Sequence, residues 1–307
     1  MDEVENFLKE YVEDCEYRKR LNSKTVRAYK TDLKQFFDYV EAEYLEQKKI
    51  IDYIHYLNHS YTKYKTIKRK IASVKGFFSY LEYNELIDKN PFRKIRTKIQ
   101  EPNLLPKTID CKVLEKIFNY LYSQIDEAKS EYKKINAVRN VAIIELLFCT
   151  GLRISELCNI QNSDIDLYSG NLKIFGKGSK ERIIHIGNEN VINILKQYNA
   201  LNSNRVEKAE WFFLNKTGDR LSDQSVRKMI NKIEVVLDLP NHITPHMFRH
   251  TFATALLDKD VDIRYIQKIL GHSSISVTQI YTHVSNMKQK EILINKNPRN
   301  DYQNYMK

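Results

Sequence analysis

Hydrophobic residues recur every three or four positions along most of the chain, and this spacing predicts a mainly α-helical protein with a small β-sheet. A helix is predicted to begin at Asn22 or Ser23, and residues 62–82 repeat its pattern. Weaker helical patterns lie near residues 3–18, 45–58 and 84–88. We expect these segments to form an all-helical unit whose aromatic residues are core and do not stack on bases. The apolar positions at helical spacing are Val26, Tyr29, Leu33, Phe36, Phe37, Val40, Ile67, Ile71, Val74, Phe78 and Leu81.

A second series of elements is predicted from Thr108 onwards, where a helix runs to about Ser123. A strongly apolar helix from about Asn136 to Cys149 follows, and Gly151 ends it. Residues 171–186 alternate in polarity around GKGSK, which predicts a β-hairpin. The other predicted elements are a short helix at Ser155 and Glu156, a helix near 189–200, a strand at Trp211–Leu214 and a helix from Asp223 to Val236.

The segment 244–283 concentrates cationic and proton-carrying side chains on short helices. Thr244 is predicted to cap a helix that has Pro245 at its first position. The i, i+3, i+4 spacing then places three side chains on one face of this helix. These residues are His246, Arg249 and His250.

A second helix in this segment is predicted from about Asp262 to Leu270, where Gly271 ends it. His272 then lies in a corner of the chain. A third short helix is predicted to present Tyr281 more than two turns further on. We expect the corner and the tyrosine to face one pocket.

Basic residues are unevenly distributed in this chain of 307 residues and net charge +11. A lysine-rich helix and the proline-containing stretch after Asn90 carry two clusters, which favour a polyanion such as nucleic acid. The alternative is a solvated helix face. The predicted contacts are Lys63, Lys65, Lys68, Arg69, Lys70, Arg93, Lys94 and Arg96.

Four cysteines lack metal-ligand spacing, which indicates a reduced, intracellular protein. The acidic N-terminus does not fit a signal peptide, and no apolar run has the length of a membrane span. A membrane function is therefore excluded, and we expect a cytoplasmic location.

Six side chains form the predicted site, and their types suit a phosphate anion. Arginine offers a two-pronged fork of donors to phosphate oxygens, and tyrosine becomes a nucleophile when a base and nearby positive charge favour its phenolate. No carboxylates accompany the set in the number that a metal site requires, so we predict no metal. The residues are Arg153, Lys177, His246, Arg249, His272 and Tyr281.

Four motifs make the chain resemble the tyrosine recombinases of the phage integrase family, with a layout close to that of the Xer recombinases. They are TGLRISEL around Arg153, GKGSKER around Lys177, HMFRHTFAT from His246, and LGHSSISVTQIYTH, which contains Tyr281. The resemblance implies a two-domain, C-shaped DNA clamp. Its parts are an N-terminal helical, SAM-like core-binding domain (1–98), a linker (99–107) and a catalytic domain (108–307).

By that resemblance, Tyr281 takes the 3′ phosphate and Lys177 protonates the leaving oxygen. Arg153 and Arg249 clamp the phosphate. His246 is the base towards the tyrosine, and His272 is an oxygen ligand. Glu156 supports this group through a hydrogen bond. His250 and His283 are assigned structural roles. Neither ATP nor any other cofactor is predicted.

The partners implied are double-stranded DNA with inverted-repeat half-sites and further protomers, either as a tetramer on two sites or with a related recombinase. The aliphatic residues 292–294 predict that segment 288–297 docks into a groove, and the resemblance implies that this groove belongs to a neighbouring protomer; docking on its own domain is the alternative. Rival functions are a type IB topoisomerase, a catalytically silent DNA-binding repressor and an RNA-binding protein.

Overall fold

The computed structural model describes residues 2–97, 106–176, 181–203 and 209–271, and the chain falls into two compact units, Met1–Asn103 and Leu104–Lys307. The described residues are mostly helical with a small sheet, as predicted. The domain boundaries near 98 and 108 stay a prediction, since residues 98–105 lie outside the described ranges. Within those ranges, none of the helices combines the length and apolarity that crossing a bilayer requires.

The N-terminal unit is built from helices whose starts follow the local sequence. Asn22 caps the second of them, because its side-chain oxygen accepts the Lys24 N–H at 2.8 Å. A π-turn at Asp14–Arg18 extends the first helix. Short 3-10 turns lie at Glu41–Glu43 and Pro91–Lys94. The helices are α1 (Asp2–Glu13), α2 (Ser23–Val40), α3 (Gln47–Ser60) and α4 (Tyr64–Tyr83).

The predicted helix over residues 84–88 is wrong. Helix α4 ends at Tyr83, and Glu85 adopts a left-handed φ of 58°. The Leu86 N–H then bonds the Leu81 carbonyl at 2.9 Å, a closure typical of helix C-termini. The chain therefore turns away from the helix axis at this point.

Aromatic side chains fill the core of the N-terminal unit. Phe36, Phe77 and Phe78 are fully buried. The Phe36 and Phe78 rings meet edge to face, with centroids 5.8 Å apart, which is a favourable geometry for aromatic pairs. Nine of the eleven predicted core positions of α2 and α4 are buried, and the other two, Tyr29 and Phe37, are partly buried against the same core.

The C-terminal unit is centred on a helix that is mostly apolar and buried from Ala137 onwards. This helix, α6, begins at Glu131 rather than near Asn136, because Ser130 caps it by accepting the Lys133 N–H. Helix α5 begins at Cys111 after a similar cap from Asp110. The helices are α5 (Cys111–Asp126), α6 (Glu131–Thr150), α7 (Ile154–Cys158), α8 (Glu189–Leu201), α9 (Asp223–Val236), α10 (Pro245–Asp258) and α11 (Ile263–Leu270).

A small antiparallel sheet of order β1-β2-β3 lies in the same unit. The predicted hairpin is confirmed, with Leu172 opposite Ile184 and Ile174 opposite Arg182. Strand β1 was not predicted. The strands are β1 (Ile165–Asp166), β2 (Asn171–Phe175) and β3 (Glu181–His185).

The predicted strand at Trp211–Leu214 is wrong. This segment forms two isolated bridges, one from Trp211 to Gln161 and one from Leu214 to Arg220. Its two ends therefore pair with different parts of the chain, and neither pairing extends into a ladder. Phe212 and Phe213 between them are buried in the core.

Candidate functional site

The turn after α6 places the first predicted arginine. Gly151 ends the helix with a left-handed φ of 62°, as predicted. A Cβ at this position would lie 2.6 Å from the Phe252 ring and 2.8 Å from Leu270, so the close packing here requires glycine. Leu152 is buried next to it, and Arg153 follows directly before α7.

Arg153 and Glu156 form an ion pair across the first turn of α7. Glu156 accepts a 2.7 Å hydrogen bond from Nη1 of Arg153 and a 2.9 Å bond from its backbone N–H. The Glu156 side chain is 5% exposed, whereas that of Arg153 is 34% exposed. The carboxylate is therefore an internal anchor for a guanidinium that remains accessible to solvent.

Arg182 of strand β3 is the other cation on Glu156, and the sequence reasoning missed it. Its Nη1 and Nη2 donate to the two carboxylate oxygens at 3.1 and 2.9 Å. The strand alternation could have identified it, because Arg182 shares the inward side of β3 with the buried Ile184. An arginine at an inward-facing strand position needs an acid or carbonyl partner.

Arg249 lies on α10 and is 3% exposed. Its Nη1 donates to the Gly151 carbonyl at 2.7 Å, and its Nη2 donates to the Leu270 carbonyl at 2.8 Å. These bonds tie the turn after α6 to the end of α11. They also fix the plane of the guanidinium.

Three consecutive carbonyls at the end of α11 each accept from a different arginine. Arg182 Nε reaches Ile269 O at 3.0 Å, Arg249 Nη2 reaches Leu270 O at 2.8 Å, and Arg153 Nη2 reaches Gly271 O at 3.4 Å. The last carbonyls of a helix lack partners within the helix and carry its negative dipole end, so they attract cations. We call Arg153, Arg182 and Arg249 the arginine cluster.

Two guanidiniums of the arginine cluster, those of Arg153 and Arg182, share one carboxylate, Glu156, so this group carries surplus positive charge. Burial alone would raise the pKa of Glu156, but the hydrogen bonds from Arg182 and Arg153 outweigh burial and lower the pKa below its ordinary value. Glu156 is therefore ionised near neutral pH. The remaining positive charge suits a phosphate anion.

The two histidines of α10 differ in environment. His246 is exposed near the start of the helix, where the helix dipole is positive. His250 is half-buried, and burial, helped by the charges of His246 and Arg249, lowers its pKa to about 4. His250 is therefore neutral at physiological pH. Thr244 is the predicted N-cap residue, but its side chain makes no capping hydrogen bond.

Lys177, His272 and Tyr281 lie outside the described residues, as do His283 and the segment 288–297, so their assignments stay predictions. The roles assigned to Arg153, Glu156, His246 and Arg249 also stay predictions. Within the described ranges, no group of three His, Cys, Asp or Glu side chains could hold a metal ion.

The predicted DNA contacts in the N-terminal unit differ in how exposed their side chains are. Lys70 is 6% exposed and donates to Asp32 Oδ1 at 3.0 Å, so its ammonium is turned into the core and is not presented to a phosphate. Arg69 also pairs with Asp32 but is 41% exposed. Lys68 is half-buried. The exposed members are Lys63, Lys65, Arg69, Arg93, Lys94 and Arg96.

The chain combines a basic helical unit with a second, mainly helical unit that carries a small sheet and a cationic cluster, and this combination is typical of proteins that bind the phosphates of nucleic acid. The Phage integrase family profile matches residues 107–288, and the phage integrase N-terminal SAM-like domain profile matches residues 8–85. The chain belongs to the phage integrase family, and it is a tyrosine-type site-specific DNA recombinase that cleaves and rejoins DNA strands.

Relatives of this family are similar to the chain along nearly its whole length. A tyrosine recombinase of Agathobacter rectalis is 52% identical over 98% of this chain and 99% of the relative. Tyrosine recombinase XerC of Bacillus subtilis is 32% identical over 97% of this chain and 98% of the relative.

A solved structure of the XerH site-specific recombinase bound to a palindromic difH substrate shares the fold. Its TM-score is 0.74 at 23% identity, covering 92% of this chain and 82% of XerH.

Proposed function

We propose that Arg153 and Arg249 hold the phosphodiester that Tyr281 attacks, and that the chain exchanges DNA strands through a 3′-phosphotyrosyl intermediate. The observation that carries this proposal is the convergence of Arg153 and Arg249 on the carbonyls of one turn, directly before His272 in the chain. Arg153 is 34% exposed beside this turn, so its guanidinium is accessible to a ligand.

Each proposed role follows from the chemistry of phosphoryl transfer. The Tyr281 oxygen bonds to phosphorus while the bond to the 5′ oxygen breaks. His246 accepts the tyrosine proton, and Lys177 gives a proton to the leaving oxygen. Arg153 and Arg249 stabilise the negative charge that grows on the nonbridging oxygens, and His272 donates a further hydrogen bond.

Rejoining is the reverse reaction. The released 5′ hydroxyl attacks the phosphotyrosine, and Tyr281 recovers its proton. One phosphate ester replaces another at each step, so the bond energy is kept in the covalent intermediate. The proposed reaction therefore needs neither ATP nor a metal ion.

We propose that the substrate is double-stranded DNA with inverted-repeat half-sites, and that residues 1–98 and residues 108–307 both contact it. Protomers would assemble as a tetramer on two sites, alone or with a related recombinase, in the cytoplasm. The exposed basic residues of the N-terminal unit support DNA binding. Among the structural neighbours, XerH is bound to a palindromic substrate, and a lambda integrase dimer is bound to a core site.

The test is to replace Tyr281 with phenylalanine after a binding site has been selected from genomic DNA. Tyr281→Phe removes only the nucleophilic oxygen, so DNA affinity should be retained and the covalent complex should disappear. Denaturing gels of protein incubated with labelled, nicked site DNA measure this. Tyr265→Phe is the matched control, because Tyr265 is a 67% exposed tyrosine of the same unit. A covalent band from the Tyr281→Phe protein would refute the assignment.

A further inference from the structure

Arg182 directs its guanidinium entirely towards the protein. Nη1 and Nη2 form a two-pronged contact with Glu156 at 3.1 and 2.9 Å, and Nε bonds the Ile269 carbonyl at 3.0 Å. The side chain is 13% exposed. Both edges of the guanidinium are therefore used within the protein, unlike those of Arg153, whose side chain is 34% exposed.

The contacts of Arg182 join two segments that lead directly to predicted catalytic residues. Strand β3 begins at Glu181, shortly after Lys177 in the chain, and Ile269 lies three positions before His272. The bond from Arg182 to Ile269 therefore fixes the start of β3 relative to the end of α11.

Gly271, directly after α11, leaves little space between the backbone and Arg182. Gly271 has a left-handed φ of 64°, and a Cβ there would lie 2.9 Å from Arg182 Nη1 and 3.1 Å from its Cζ. The turn that follows α11 therefore rests directly against the guanidinium. A larger residue at position 271 would push one of the two away.

Glu156 depends on Arg182 for half of its hydrogen bonds. The carboxylate is 5% exposed, and Arg153 alone supplies one side-chain bond and one backbone bond. Without Arg182, the Glu156 carboxylate would lose two hydrogen bonds, and an unsatisfied carboxylate in this buried position costs free energy. The carboxylate would then turn towards water, and Arg153 would move with it.

We propose that Arg182 is a positioning residue for strand cleavage, which orients Arg153 through the shared Glu156 carboxylate and fixes the turn before His272 without touching DNA itself. This inference rests on the proposed function, because it takes Arg153 as a phosphate ligand. A displacement of about 1 Å in such a group lowers a reaction rate by about 10²-fold.

Arg182→Gln tests the proposal through a separation of rate from affinity. We expect single-turnover cleavage of a nicked site at saturating DNA to slow by about 10–10²-fold, while the Kd for the same DNA changes by less than about twofold. Arg182→Lys should restore only part of the rate, because an ammonium cannot make the two-pronged contact. The lysine variant also carries the test if the glutamine variant melts below the assay temperature.

Lys173→Gln is the matched control. It removes the same charge from the neighbouring strand β2, where Lys173 pairs at 3.0 Å with the exposed Glu181 and not with Glu156. Its cleavage rate should equal that of the wild type. A loss of affinity without a loss of rate in Arg182→Gln would overturn the proposal, since it would make Arg182 a DNA contact.

A double-variant cycle tests whether Arg182 acts through Glu156. If it does, Arg182→Gln combined with Glu156→Gln should cleave no more slowly than the slower single variant. Defects that multiply would overturn this route. A wild type that forms no Tyr281 adduct would refute the proposed function itself, whereas equal cleavage by wild type and Arg182→Gln would overturn only the present inference.

Discussion

Each unit of the molecule buries one carboxylate between two cations, and the two arrangements differ in what lies around them. In the N-terminal unit, Asp32 is fully buried and pairs with Lys70 and Arg69. In the C-terminal unit, Glu156 pairs with Arg153 and Arg182. The ion pairs are similar in chemistry, but their surroundings differ.

Around Asp32, Lys70 is turned into the core of the unit, whereas Arg69 is 41% exposed. Lys70 is 6% exposed and also donates to Gln35, and the Ser73 hydroxyl donates to Asp32 at 3.3 Å. Around Glu156, Arg153 is 34% exposed beside the end of α11. Each carboxylate therefore holds one buried and one accessible cation, and the difference is that Arg153 lies in a cluster with two further arginines at the end of α11.

The largest expected effect is the loss of stability when the Asp32 carboxylate is removed. Asp32→Ala leaves the Lys70 charge buried without its partner, so we expect the unfolding free energy of the N-terminal unit to fall by about 3–5 kcal/mol. Urea unfolding followed by circular dichroism measures this. Fluorescence of Trp211, the single tryptophan, reports the other unit and should be unchanged.

Asp38→Ala, an exposed change on the same helix α2, is the control. If Asp32→Ala lowers the unfolding free energy by less than about 1 kcal/mol, the ion pairs of Asp32 contribute no more to stability than surface ion pairs do. The contrast between the two carboxylates would then disappear.

The second effect is on rate. Arg153→Gln should slow single-turnover cleavage by about 10²–10³-fold, because it removes a preorganised donor to the charge that develops on phosphate. Arg220→Gln, at an exposed arginine of the same unit, should cleave normally. If Arg153→Gln lowers stability and leaves the rate intact, the Glu156 cluster serves folding just as the Asp32 cluster does.

The third effect depends on pH and concerns His250. Its pKa is lowered from 6.5 to about 4 by burial and by the neighbouring charges of His246 and Arg249. Between these two values the unfolded chain binds a proton that the folded chain does not. The unfolding free energy of the C-terminal unit should therefore fall as pH drops from 6.5 towards 4, by up to about 1.4 kcal/mol per pH unit.

Urea unfolding followed by Trp211 fluorescence at several pH values measures this dependence. His250→Gln should show a shallower decline over the same interval. An equally steep decline in the variant would assign the pH dependence to other groups.

The smallest effect is on the salt dependence of DNA binding. Each phosphate contact contributes about −0.9 to the slope of log K against log salt. Replacing the exposed Lys63 and Lys65 by glutamine should flatten the slope, whereas Lys70→Met should leave it unchanged and lower stability. Titrations across a range of salt concentrations distinguish the two outcomes. A slope that changes with Lys70→Met would return Lys70 to the DNA contacts.

Much of the fold follows from local rules in the sequence. The caps at Asn22 and Ser222 and the left-handed glycines at 151 and 271 set helix ends that the sequence predicts. These features act over a few residues, so they are visible without a structure.

Contacts between distant residues could not be predicted in the same way. The Arg182 contact with Glu156 joins β3 to α7, and the Lys70 contact with Asp32 joins α4 to α2. The sequence predicts the same role for Lys70 and Lys65, because both are lysines of one basic helix. The spacing along that helix does not specify which lysine pairs with an acidic residue of another helix. Only the packing of the helices decides it.

The three carbonyls at the end of α11 belong to the backbone, and this has a consequence for mutational tolerance. Replacing the side chain of Ile269, which is only partly buried, leaves its oxygen atom in place, so this position can vary in sequence as long as the chain follows the same path. Leu270 keeps its oxygen in the same way, but its side chain is fully buried and is constrained by packing. Gly271 cannot vary in the same way, because its φ of 64° and its contact with Arg182 determine that path. In a saturation library selected for recombination, position 271 should therefore accept far fewer amino acids than position 269.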